Sequence, residues 1–275
     1  MVDWPELPAG IVAGIEKRWP DHARAWAADV ETELREICDM YDAKPRTVLP
    51  ARYGFVVAVD SPHGGLVLRS SPDPDASIQA DVASALADLG VAPVVHETIL
   101  APSGLWMVLE EVQPGTPLAL TDRSTVDLNA LAAPFAAMLN QPAPRQVLPS
   151  VFDWLRERLK DDNLTDMPVW REGPAPLNER QEALGVLDEL AQDTKPGLCH
   201  GDASTWNLLT SGDSGWKIID PRGVSGEIGY DLAVIALKLR GDLPPADLGS
   251  RLAKAAGTDW DRVKRWISVA EAARV

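Results

Sequence analysis

A chain of 275 residues, 45% hydrophobic and 24% charged, carries enough apolar side chain for one or two buried cores and none of the bias of a disordered or fibrous chain. Its net charge of −15 argues against nucleic acid as a partner, since neutralising a phosphate backbone takes Lys and Arg; the same charge would suit a cationic small molecule. No apolar run reaches the ~18 residues of a membrane span and the first ten residues lack the blocks of a signal peptide, so a cytoplasmic chain is expected, with no membrane and no protein partner evident.

The first element predicted is an amphipathic helix over 21–42, started by Asp21 after Pro20, with Trp26, Val30, Leu34, Ile37 and Tyr41 recurring every three or four residues. Two apolar, β-prone runs follow at 55–59 and 66–69, separated by Ser61-Pro62-His63-Gly64-Gly65, a hairpin signal. The loop before them, Pro50-Ala51-Arg52-Tyr53-Gly54, holds a single glycine and is not a glycine-rich phosphate loop. A second helix is expected over 76–89, with Asp75 or Ser77 near its cap and Ile78, Val82, Leu86 and Leu89 on one face. Asp81 falls to one side of that stripe.

Further strands are expected at 94–100 and 105–112 around Ala101-Pro102-Ser103-Gly104, and the turn-rich Gln113-Pro114-Gly115-Thr116-Pro117-Leu118 places a boundary near residue 112. Beyond it the pattern is helical, at 124–140, 151–161, 178–192, 230–240, 246–256 and 260–273. The stretch 166–178, rich in Pro and Gly, reads as a mobile loop or a plain connector. The fold expected is therefore α+β: a small antiparallel-sheet lobe with N-terminal helices over 1–112 and a larger helical lobe over 113–275.

The two cysteines, Cys38 and Cys199, have no metal or disulfide spacing, and four histidines without HExxH offer no zinc site. The chemistry concentrates in 198–233, LCHGDASTWNLLTSGDSGWKIIDPRGVSGEIGYDLA. Asp202 and Asn207 stand five residues apart on a short turn before Leu208-Leu209, and Asp220 ends a second apolar run joined to the first by a Ser-Gly-Asp-Ser-Gly hairpin. An Asp, Asn and Asp trio in a hairpin is also ordinary turn chemistry. Their joint occurrence, with Gly229-Tyr230-Asp231 opening a helix, matches instead what phosphoryl transfer requires: a carboxylate to take the proton of an attacking hydroxyl, and hard oxygen donors for magnesium. The order of a catalytic-loop Asp, an Asn five residues on and a downstream metal Asp is that of protein kinases.

On His200-Gly201-Asp202, Asn207, the run Gly215-Trp216-Lys217-Ile218-Ile219-Asp220-Pro221 with Gly223, and Gly229-Tyr230-Asp231-Leu232-Ala233, the chain resembles the aminoglycoside phosphotransferase superfamily, more narrowly its streptomycin 6-kinase and hydroxyurea kinase branch. The resemblance implies a protein-kinase-like two-lobed fold with Asp202 as base and Asn207 and Asp220 as metal ligands, His200 orienting their loop. It also implies that Arg69 stands where the family carries a phosphate-contacting Lys and that backbone groups of Glu111 and Val112 meet the adenine; Asp81 is read either as the ion-pair partner of Arg69, a longer base meeting a shorter acid, or as a solvated helix residue. Arg for Lys changes a point charge into a planar fork. Trp206, Glu227, Tyr230 and Asp231 are the substrate-binding candidates, by proximity to the catalytic loop, although Trp206 could pack under that loop and Asp231 could serve a helix start.

The expected function is thus an ATP- and Mg2+-dependent phosphotransferase acting on a hydroxyl of a small molecule, with an aminoglycoside such as streptomycin leading. An amino sugar or other metabolite as acceptor is the alternative, and a nucleotide-binding protein with little transferase activity is a third.

Overall fold

The computed structural model describes residues 4–164, 173–193, 197–239 and 243–275; most of the connector expected over 166–178 lies outside them. Two compact units emerge, Met1–Val112 and Gln113–Val275.

The first unit comprises α1 (Ala9–Arg18), α2 (Pro20–Met40), β1 (Lys44–Val48), β2 (Phe55–Ser61), β3 (Gly64–Ser71), α3 (Ala76–Asp88), β4 (Val95–Ala101) and β5 (Gly104–Glu110). Its five strands form one antiparallel sheet in the order β1-β2-β3-β5-β4. Period-two alternation along β5 divides the core. Trp106 and Val108 join Trp26, Val30, Leu34 and Ile37 of α2, whereas Met107, flanked by Leu105 and Leu109, meets Ala80 and Ala83 of α3. The two helices therefore cover opposite faces of the sheet. Complete burial of a large apolar side chain contributes about 1.5–3 kcal/mol, so α2, with Trp26 and Val30 at 0% exposure, anchors this unit.

Polar groups in that core are matched. The Trp26 indole N–H donates to Ser70 Oγ at 3.0 Å, and buried Glu33 accepts from the Ser103 backbone N–H at 2.9 Å and the Trp106 indole at 2.8 Å. A buried carboxylate survives only with such a donor set. Two elements escaped the sequence pattern. Helix α1 buries only Ile11 and Ile15, too few for a clear stripe, and β1 is a largely exposed edge strand whose register shifts beside Pro45.

The second unit comprises β6 (Pro114–Pro117), α4 (Leu128–Met138), α5 (Val151–Lys160), α6 (Leu177–Gln192), β7 (Gly197–Leu198), β8 (Leu208–Ser211), β9 (Gly215–Ile218), β10 (Ser225–Gly226), α7 (Ile228–Lys238), α8 (Pro245–Ala256) and α9 (Trp260–Ala272). Helix α7 is buried from Ile228 to Leu237 and packs against α4, α8 and α9, which is why its sequence is apolar on every side. Trp266 of α9 seats its ring against Phe152 and Tyr230, with centroids 5.1 and 5.5 Å away.

The Pro-Gly segment expected as a bare turn is instead the edge strand β6 of a three-stranded sheet, β6-β8-β9. Prolines lack the N–H a central strand would need, and an edge position tolerates them. A second small pair, β7 with β10, fixes the approach to the His-Gly-Asp turn. Among the described residues no helix is long and apolar enough to cross a membrane.

Candidate active site

Strand β7 delivers the chain into Cys199-His200-Gly201-Asp202, and the β8–β9 hairpin brings the downstream acid back to it. Leu208 pairs with Ile218, and the Ile219 N–H donates to the Asn207 carbonyl at 2.9 Å, so Asn207 lies beside the Ile219-Asp220 end of the hairpin. The Asn207 side-chain amide donates to the Asp202 carbonyl at 2.9 Å. Buried His200 closes the arrangement. Its Nε2 donates to the Ile219 carbonyl at 2.8 Å and its Nδ1 accepts the Asp202 N–H at 3.3 Å, a network that assigns the proton to Nε2. Asp202, Asn207 and Ile219, the residue before Asp220, are thereby joined in one hydrogen-bonded network.

The Asp202 side chain remains 39% exposed, open to an incoming molecule. Asp220 sits at φ 57°, a left-handed conformation that Asp tolerates better than most residues and that recurs where function constrains the backbone.

Asp231, in the first turn of α7, holds the loop from below. Its two carboxylate oxygens accept the His200 and Gly201 backbone N–H groups, each at 2.9 Å. Complete burial pushes its pKa upward, with His200 and the two N–H bonds opposing. Gly201 adopts φ 78°, and a Cβ there would lie 2.4 Å from Val224 Cγ2, so glycine is required on both counts.

Arg222, which belongs to none of the motifs singled out above, lies against the same loop. Its backbone N–H donates to the His200 carbonyl at 2.9 Å, its Nε donates to the Gly201 carbonyl at 3.0 Å, and its Nη2 stands 3.4 Å from Asp202 Oδ2. Its guanidinium stacks over Trp154 of α5, 4.2 Å from the ring centroid. The available signal was a fixed cation two residues after Asp220; nothing local in the chain pointed to Trp154.

The acceptor candidates divide. Trp206 is 55% exposed beside the catalytic turn rather than packed under it. The other three need correction. Tyr230 and Asp231 are fully buried, Asp231 spent on the loop. The Glu227 carboxylate is held by Arg262 Nε at 2.7 and 2.8 Å and by the Trp266 indole, so it ties α7 to α9 and has little left for a ligand.

In the first unit, Arg69 of β3 reaches α3, donating to Gln79 Oε1 at 3.3 Å; Gln79 in turn donates to Asp73 at 2.8 Å. Asp81 lies on the same helix, half-buried. The expectation for Glu111 narrows: its N–H donates to the Gly65 carbonyl at 3.1 Å, and its side chain accepts from Arg46. Its N–H is thus engaged within the sheet rather than presented to a ligand.

Magnesium suits the donor chemistry. The Asn207 amide N–H is committed to the Asp202 carbonyl, which leaves its amide oxygen as a hard donor, and the Asp220 carboxylate is of the same donor type. Among the described residues no group of three or more His, Cys, Asp or Glu forms a ready-made cage. A two-donor set fits an ion that keeps waters and shares phosphate oxygens.

An antiparallel-sheet unit, a helical unit and this Asp–Asn–Asp constellation define a kinase-like phosphotransferase. The family model "Phosphotransferase enzyme family" matches residues 46–266, and the chain belongs to that family, as an enzyme that transfers phosphoryl groups to alcohol acceptors. It is 22% identical to the streptomycin 6-kinase of Streptomyces glaucescens, the alignment covering 94% of this chain and 88% of that protein. The fold is shared with aminoglycoside phosphotransferase APH(3'')-Id from Streptomyces rimosus, solved with ADP and streptomycin (TM-score 0.60, 17% identity, 90% of this chain and 99% of that one). It is shared too with a choline/ethanolamine kinase family protein from Mesorhizobium loti (TM-score 0.65, 18% identity, 90% and 83%).

Proposed function

We propose that this enzyme is an ATP- and Mg2+-dependent kinase of a small hydroxyl-bearing molecule, with streptomycin or a related aminoglycoside as the leading acceptor. The observation that carries this reading is the single hydrogen-bonded network joining Asp202, Asn207 and Ile219-Asp220 through His200.

In this reading Asp202, the exposed carboxylate, accepts the acceptor's hydroxyl proton as the alcohol oxygen attacks the γ-phosphorus and the bond to the departing ADP breaks. General-base assistance of this kind is worth ~10²–10⁴ in rate. Asn207 and Asp220 hold magnesium, which when bound neutralises phosphate charge. His200 orients the loop. Arg69, with Asp81 as its partner, contacts nucleotide phosphates, and the Glu111 carbonyl and Val112 backbone meet the base. Trp206 offers an exposed aromatic face for the acceptor, where a sugar ring or a cation would stack. The similarity to streptomycin 6-kinase and to an ADP- and streptomycin-bound phosphotransferase supports this choice of nucleotide and acceptor.

A second reading keeps the chemistry and takes a small amino alcohol or other metabolite as acceptor; the structural likeness to a choline/ethanolamine kinase family protein favours it. One screen separates the readings: ATP consumption with Mg2+ against streptomycin, spectinomycin, hygromycin B, choline and ethanolamine, beside Asp202→Asn. Acceptor-dependent turnover lost in Asp202→Asn identifies enzyme and substrate together. Nucleotide binding with no turnover on any acceptor would leave only a nucleotide-binding protein.

A further inference from the structure

We infer that Arg222 is the positioning residue of the catalytic base: it fixes the Asp202 carboxylate through Oδ2 so that Oδ1 faces the acceptor hydroxyl. The inference deepens the proposed function and rests on Asp202 being the base.

Four contacts specify the placement. The Arg222 backbone N–H holds the His200 carbonyl at 2.9 Å, Nε holds the Gly201 carbonyl at 3.0 Å, Nη2 pairs with Asp202 Oδ2 at 3.4 Å, and the guanidinium carbon lies over the Trp154 ring, 4.2 Å from its centre. Main chain and side chain of one residue thus grip three consecutive residues of the loop, 200–202. The glycine at 201 belongs to the same device. A Cβ there would stand 3.1 Å from Arg222 Cβ, so the bare backbone lets the arginine lie flat against the turn.

The chemistry of the guanidinium explains why arginine serves. Its donors sit in a rigid plane, so anchoring Nε on a carbonyl sets where Nη2 points, and the flat face can stack on an indole at the same time. An ammonium has no such fork. Charge alone is the weaker part of the effect, because the Arg222 and Asp202 side chains are 28% and 39% exposed and solvent screens the pair. Orientation is the stronger part. Nη2 approaches Asp202 at Oδ2, an ion-pair contact of 3.4 Å that biases the carboxylate toward presenting its other oxygen outward. A base that rotates freely spends much of its time misaligned, and misplacement of a reacting group by about 1 Å can cost ~10² in rate.

The test compares wild type, Asp202→Asn, Arg222→Ala and Arg222→Lys in Mg·ATP turnover with the five acceptors named above and with water as acceptor, together with thermal unfolding of each variant. For Arg222→Ala the expected result is a kcat lower by up to ~10², with KM for ATP and for the acceptor within twofold of wild type and partial recovery on adding guanidinium ion. Arg222→Lys, which keeps the charge and loses the fork, should fall between the two. If Arg222→Ala fails to fold, Arg222→Lys decides alone. Wild-type kcat in either folded variant, or a loss confined to KM, overturns the positioning role while Asp202→Asn still reports on the base. An inert wild type, or an active Asp202→Asn, removes the base itself and the role of Arg222 with it.

Discussion

Asp231 and Gly201 are separated by 30 residues in the chain and joined by a 2.9 Å hydrogen bond from the glycine N–H to the carboxylate. With the matching bond to the His200 N–H, a buried helix-start acid becomes the clamp on the turn that carries Asp202. Removing it in Asp231→Ala leaves two buried N–H groups unpaired, at a cost of about 1–3 kcal/mol each. We expect a lower unfolding midpoint in denaturant and a reduced kcat. Wild-type stability would mean that other groups satisfy both donors.

Asn207 and Asp220 supply the proposed metal donors, and metal affinity can be read apart from turnover. Titration calorimetry of ADP binding across a Mg2+ series should show Asn207→Ala and Asp220→Asn needing several-fold more Mg2+ for half-maximal affinity, with Asp202→Asn close to wild type. Equal Mg2+ requirements in all four proteins would strip these two residues of that role.

Tyr41, at the end of α2, donates its hydroxyl to Glu97 of β4. Burial, with that hydrogen bond and the glutamate charge adding to it, raises its pKa from 10.0 to about 12. The folded state therefore favours the neutral phenol. Its stabilising contribution is complete below pH 10 and is lost as pH rises from 10 to about 12. Denaturation at pH 9 and pH 12 should show a smaller alkaline loss in Tyr41→Phe than in wild type, and identical losses would contradict this assignment.

Cys38 in the first unit and Cys199 in the second are both at 0% exposure. Burial, with Asp39 nearby, raises Cys38 to about 11, and burial pushes Cys199 well above the ordinary thiol range. Since the thiolate is the reactive form, Ellman's reagent at pH 8 should find no fast-reacting thiol in the native protein and two in denaturant. One labelling rate then reports opening of each unit. Fast reaction of Cys199 in the native state would mean that the loop beside it opens readily.

The elements with strong periodicity were legible from sequence: α2 and α3 by their apolar stripes, the β2–β3 hairpin by its turn residues, and α5 to α9 to within a few residues. Helix α1 and strand β1 were not, because two buried isoleucines and an exposed edge with Pro45 leave no pattern to read. At the site, residue type and spacing singled out Asp202, Asn207 and Asp220, since phosphoryl transfer demands a base and hard oxygen donors at short separations.

By itself, then, the sequence determined which side chains could perform chemistry and which segments would be helix or strand, because both depend on residue identity and local spacing. Only the tertiary structure decided how those side chains are used. It turned Glu227 toward Arg262, enclosed Tyr230 and Asp231, left Trp206 exposed and laid Arg222 between Trp154 and Asp202. Such assignments arise when packing brings distant residues together and buried polar groups must find partners, a requirement that no local stretch of chain records.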